Sequence, residues 1–134
     1  MSIDFSLSPE LEEMRLRVRD FIEREVKPVE EVIEREKLAE QDRNGYVSKL
    51  IEMRKKAFAE GLWLPHMPEQ WGGMGLGHVQ LAMVQAEAAK SHYGPWVLNC
   101  QAPDEGNMHT LLHWGTEEQL EKYLKPLGSR ISSP

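Results

Sequence analysis

His109 and His113 lie four residues apart on one predicted helix, a spacing at which two imidazoles can share a metal ion. No Glu follows His109 in an H-E-x-x-H arrangement, and no Cys or carboxylate clearly converges on the pair, so surface or interface histidines are expected and no metal. Cys100 is the single cysteine and sits among apolar residues without a local Cys partner, which points to an inert core thiol rather than a nucleophile. No Ser, His and Asp triad can be assembled by motif. Gly73, Gly75 and Gly77 give G-x-G-x-G after a loop, whereas a dinucleotide site needs G-x-G-x-x-G between a strand and a helix; they read as turn glycines. Trp63, Trp71, Trp96 and Trp114 have apolar helical neighbours and are expected as core or interface anchors rather than a stacking surface. The residues therefore offer no catalytic group of their own.

The elements that would carry these residues are helical. Ser8 and Pro9 form an N-cap and first-turn pair, and Leu11, Met14, Val18, Phe21, Ile22 and Val26 recur at steps of three and four. Pro28 is expected to interrupt this helix, because it lacks the N–H and crowds the carbonyl four residues back; a second, charged helix follows with Val29, Val32 and Ile33. Glu34 to Arg43 mixes both charge signs and reads as a solvated helix face and loop. Asn44 and Gly45 mark a turn, and Val47, Leu50, Ile51, Arg54, Ala57 and Phe58 keep helical spacing up to Gly61, which is placed to end the helix.

Leu62 to Pro65 form a short apolar clamp before a loop rich in Pro and Gly. From His78 to Ser91 apolar residues reach nearly all round, so this helix is expected at the centre of the bundle, with Ala82, Ala86 and Ala89 permitting close approach of neighbours. Pro95 to Ala102 reads as a short helix ended by Pro103, and Asp104 to Asn107 as a turn. Met108, Leu111 and Leu112 mark the apolar face of the next helix, with Trp114 near its end; Gly115 stops it, and Thr116 with Gln119 fits a capping box that starts another.

With 134 residues and 40% hydrophobic content the chain can hold one core. The excess of 22 Asp and Glu over 16 Lys and Arg gives a formal charge of -6, which repels phosphate backbones and argues against nucleic acid. No apolar run approaches the ~20 residues needed to cross a bilayer, and Met1 to Glu13 carries acids where a targeting peptide would carry basic residues. A soluble, cytoplasmic protein with no membrane partner is expected.

Three motifs in order carry a family resemblance: Pro65 to Gly77 (PHMPEQWGGMGLG), Asn99 to Met108 (NCQAPDEGNM) and Gly115 to Leu127 (GTEEQLEKYLKPL). Together they resemble the amino-terminal helical domain of acyl-CoA dehydrogenases, nearest to the subgroup of human members ten and eleven, over about residues 4 to 127. The resemblance implies an all-α bundle of about six helices over 1–127 and a divergent, frayed tail over 128–134. It implies FAD as the cofactor of a complete enzyme, an acyl-CoA thioester as substrate and an electron-transfer flavoprotein as partner. The family's catalytic Glu and most flavin contacts belong to later domains absent here, so this chain alone is expected to be inactive and to bind no FAD stably. By position in the matching motif, Leu98, Asn99, Ala102 and Pro103 are expected to line the acyl pocket, Leu98 and Ala102 sharing one helical face. Apolar residues near Trp96, Trp114 and Tyr123 are expected to form an exposed interface that favours self-association. A non-catalytic helical interaction protein or a truncated product that kept the fold without the chemistry is the alternative.

Overall fold

The structure, a computed structural model, describes residues 6–129. Among these residues every regular element is helical and none is a strand. Helix α1 (Pro9–Phe21) starts where expected: Ser8 Oγ accepts from the Leu11 N–H at 3.2 Å, and Pro9 fills the first turn, where no N–H is needed. Its Leu11, Val18 and Phe21 are buried.

The expected break at Pro28 does not occur. A π-helical turn, Ile22–Val26, leads straight into α2 (Lys27–Arg35), with the Lys27 N–H donating five residues back to the Ile22 carbonyl. The widened turn relieves the crowding that the proline ring would impose on a carbonyl in a regular helix, so the chain runs on. Beyond a left-handed Lys37, the single turn α3 (Leu38–Gln41) tucks Leu38 against the core within the stretch expected to be solvated.

Helix α4 (Arg43–Ala59) begins earlier than expected. Asp42 caps it by accepting from the Gly45 N–H at 3.0 Å, so Asn44 and Gly45 lie in its first turn rather than in a loop. It ends where expected, with Gly61 at φ +73°, a conformation open to glycine and strained for other residues. The following clamp is buried at Leu62, Trp63 and Leu64 and is fastened by the Leu64 N–H to the Leu98 carbonyl at 3.0 Å.

Helix α5 (His78–Ala88) corrects the expectation of a central helix. It packs along α1 and buries only Val84, Glu87 and Ala88, while Ala82, Ala86 and Ala89 are exposed and Val79 is 67% exposed. Its alanines cost little in water, and beside the buried Val84 and Ala88 it is Glu87 that fixes this face to α1, through ion pairs. After α6 (Gly94–Val97) come α7 (Asp104–Trp114), α8 (Glu117–Gln119) and, through a second π-helical turn Leu120–Leu124, α9 (Lys125–Gly128). Asp104 to Asn107, expected as a turn, open α7, where Asp104 and Glu105 complement the positive end of the helix dipole. The capping box forms: Gln119 N–H donates to Thr116 Oγ1 at 3.3 Å and Thr116 N–H to Gln119 Oε1 at 2.9 Å.

The core has two parts. The larger joins Val18, Phe21, Ile22 and Val26 to Leu50, Met53 and Ala57 of α4, Val84 and Ala88 of α5, and Val97 and Leu98. The smaller gathers Trp63, Leu64 and Met67 of the loop with Met108 of α7 and Leu124. Gly128, expected to fray, closes α9 and its carbonyl accepts from Trp63 Nε1 at 2.8 Å. The Ser129 N–H donates to the Lys125 carbonyl at 3.1 Å, and residues 130–134 of the expected tail lie outside the described residues.

Candidate functional site

The turn from Trp96 to Pro103 is built around a buried arginine. Arg54, 4% exposed, reaches from α4 and donates from Nε and Nη2 to the Trp96 carbonyl at 3.2 and 3.1 Å, and from Nη2 to Asn99 Oδ1 at 3.3 Å. Its guanidinium carbon stands 3.7 Å from the centroid of the Trp96 ring, within the range of a cation–π contact. Asn99 in turn donates from Nδ2 to the Leu127 carbonyl at 3.3 Å and adopts φ +55°. Asparagine tolerates that left-handed conformation better than most residues, and the hydrogen bonds at both ends of its amide hold it.

This turn fixes where the four expected pocket residues stand. Leu98 is fully buried in the larger core and Asn99 is 2% exposed, whereas Ala102 and Pro103 lie on the surface, joined by a cis peptide. Leu98 and Ala102 do not share a helical face, because α6 ends at Val97 and the chain turns at Asn99. The structure thus pairs a buried, tethered half, Leu98 and Asn99, with an exposed half, Ala102 and Pro103.

Burial pushes the Cys100 thiol up to about 12, with the Glu105 charge adding to the effect, so the thiolate is not the nucleophilic form near neutrality. His109 and His113 stack with ring centroids 6.3 Å apart, and among the described residues no three His, Cys, Asp or Glu side chains are placed to hold a metal ion. Of the tryptophans, Trp63 is buried, Trp71 and Trp96 are half-buried and Trp114 is 86% exposed. Trp114 has left the apolar face of α7 for solvent, and Tyr123, 48% exposed, is a second large apolar surface on the C-terminal helix.

Two functional-looking charges escaped the sequence reading. Glu87, 4% exposed, accepts from Arg15 Nη1 at 2.8 Å and Arg19 Nη2 at 2.9 Å, and pairs with Lys90 Nζ at 2.7 Å. Burial alone would raise its pKa, but the hydrogen bonds from Arg19, Lys90 and Arg15 outweigh it and hold the carboxyl down at about 2. Arg54 is the other. The signal for both was a charge at an apolar position: Arg54 within the helical stripe of α4, and Glu87 within an otherwise apolar α5.

A Cβ on Gly73 would stand 2.0 Å from the Met67 carbonyl oxygen, so that glycine serves close backbone packing within the loop rather than approach to a phosphate. No helix among the described residues is long and apolar enough to cross a membrane.

The geometry defines a class first: an all-helical domain that holds a shaped surface turn on a buried arginine and asparagine. The family pattern for "Acyl-CoA dehydrogenase, N-terminal domain" matches residues 8–130. Acyl-CoA dehydrogenase family member 10 of Mus musculus is 37% identical over 126 residues, a match that covers 90% of this chain and 12% of the relative. Family member 11 of Homo sapiens is 33% identical over 119 residues, covering 87% and 15%. A solved structure from Mycobacterium abscessus carrying an acyl-CoA dehydrogenase assignment superposes with a TM-score of 0.76 at 34% identity, covering 92% of this chain and 32% of that one. The chain belongs to the acyl-CoA dehydrogenase family, as its amino-terminal helical domain. It spans about a third of the solved relative and less than a fifth of these two curated relatives.

Proposed function

We propose that this domain supplies the wall of the acyl pocket in an FAD-dependent acyl-CoA dehydrogenase, which removes hydrogen from the α and β carbons of an acyl-CoA thioester and passes electrons to an electron-transfer flavoprotein. The flavin would accept the hydride, and its platform and the catalytic base would come from chain beyond this domain. One observation carries the assignment of the wall. The turn at Leu98–Pro103 is tethered at Asn99 by Arg54 and Leu127 while Ala102 and Pro103 stay exposed, so a rigid support presents a small apolar surface. Leu98 and Asn99 shape that surface from beneath.

The test joins residues 6–129 to the remaining length of the Mycobacterium abscessus relative. Acyl-CoA-dependent bleaching of the flavin is expected from the joined protein and not from the chain alone. Replacing Ala102 by Phe is expected to lower kcat/KM for long acyl chains at least tenfold more than for short ones. Equal loss for both, or no change in a folded protein, removes Ala102 and Pro103 from the wall.

A further inference from the structure

His66 lies in the loop between α4 and α5, flanked by Leu64 and Met67 of the smaller core. It is 6% exposed, and neither ring nitrogen has a hydrogen-bond partner among the described residues. A neutral imidazole carries one donor and one acceptor, and burying both unmatched is costly. Its neighbour on α7 is His109, with ring centroids 5.3 Å apart. One turn before His109, Glu105 holds a carboxylate oxygen 4.0 Å from His109 Nε2 and accepts from Gln85 Nε2 at 3.3 Å. One turn after it, His113 stacks on His109. Beside the packing of Met67 and Met108, the clamp loop and α7 therefore meet through two imidazoles, and among the described residues no carboxylate is placed against the buried one.

We propose that the His66–His109 contact is an acid-operated latch: protonation of His66 frees α7 and the C-terminal helix from the clamp loop while α1, α4 and α5 stay packed. Burial, and after it the charge of His109, hold the His66 pKa down at about 4. A histidine in an opened chain titrates near ~6.5. Above that value neither form takes a proton and the contact has its full strength. As pH falls from about 6.5 towards 4 the open form takes the proton that the closed form refuses, and the closed form loses ground.

Opening is confined to one side by the rest of the structure. Glu87 stays ionised throughout this range, so the ion pairs between α1 and α5 persist. Helix α7 and the C-terminal helix are tied to the remainder by single hydrogen bonds, Gln85 to the Glu105 carboxylate, Trp63 to the Gly128 carbonyl and Asn99 to the Leu127 carbonyl.

Amide hydrogen exchange of the chain, corrected for intrinsic rates and followed from pH 7 to pH 5, tests this. Amides over 104–128 are expected to lose protection by up to about tenfold per pH unit below ~6.5, while those of α1 and α4 hold theirs. His66→Leu is expected to remove the pH dependence. His109→Gln, which keeps the buried imidazole but removes its charged neighbour, is expected to lessen it. Equal loss across all helices, or an undiminished loss in His66→Leu, overturns the latch. Should His66→Leu fail to fold, an NMR titration of the His66 ring in the wild-type chain decides the matter: a pKa above 6 overturns it and one near 4, with loss of protection confined to 104–128, supports it.

Discussion

The two parts of the core are held by different chemistry. The larger one packs Phe21, Ile22 and Val26 against Met53, Ala57 and Val84, and its edge is fastened by a buried carboxylate with three cationic partners. The smaller one relies on aromatic and thioether side chains, Trp63, Met67 and Met108, and keeps a histidine with both nitrogens unmatched. Where a buried polar group is fully paired the helices are locked in register; where it is not, the contact depends on solution conditions. The exposed Trp114 and Tyr123 lie on the elements of the smaller part, α7 and the C-terminal helix. Large apolar side chains reach solvent on both halves, since Leu16, Phe58 and Val79 are exposed on α1, α4 and α5.

The contrast can be broken most severely from the larger side. Phe21→Ala removes a fully buried ring and is expected to cost about 4 kcal/mol in urea unfolding, taking both parts of the core down together. Met108→Ala is expected to cost about 3 kcal/mol, with exchange protection lost over 104–128 and kept in α1; a uniform loss would mean that the two parts fold as one unit.

Glu87→Gln leaves three cations around a neutral amide and is expected to cost about 2 kcal/mol near neutrality. Because the folded pKa is lowered, the stabilisation from Glu87 is present above the unfolded value of ~4.3 and is lost as pH falls towards 2. Unfolding midpoints of the Gln variant should therefore depend less on pH in that range than those of the wild type. The smallest effect is expected at Thr116→Ala, about 1 kcal/mol, read as faster exchange in the first turn of α8.

Local signals were the most legible in the sequence. Ser8, Gly61 and the Thr116–Gln119 box act through groups within three or four residues, and all behave as their types dictate. The continuity through Pro28 was hidden, because a π turn depends on backbone bonding that no residue type announces. The outward position of α5 was hidden too: alanines fit an interior or a surface, and the deciding residue, Glu87, meets partners 68 and 72 positions away. At the candidate site the motif located the segment, but the left-handed Asn99 separates Leu98 from Ala102, and Arg54, 45 residues earlier in the chain, holds that turn in place.

The two π turns share one further trait. Each is followed by Lys-Pro: Ile22–Val26 by Lys27 and Pro28, and Leu120–Leu124 by Lys125 and Pro126. A π turn amounts to a single extra residue wound into an α-helix. Deleting one residue from Ile22–Val26 would restore regular winding and leave the segments on either side nearly in phase, because the widened turn had absorbed the extra residue. The harm would fall at Pro28, whose ring would be driven against the carbonyl four residues back once the turn is no longer widened. The length of that segment is therefore fixed to the residue: a one-residue deletion there is expected to do more harm than most single substitutions in the same helix.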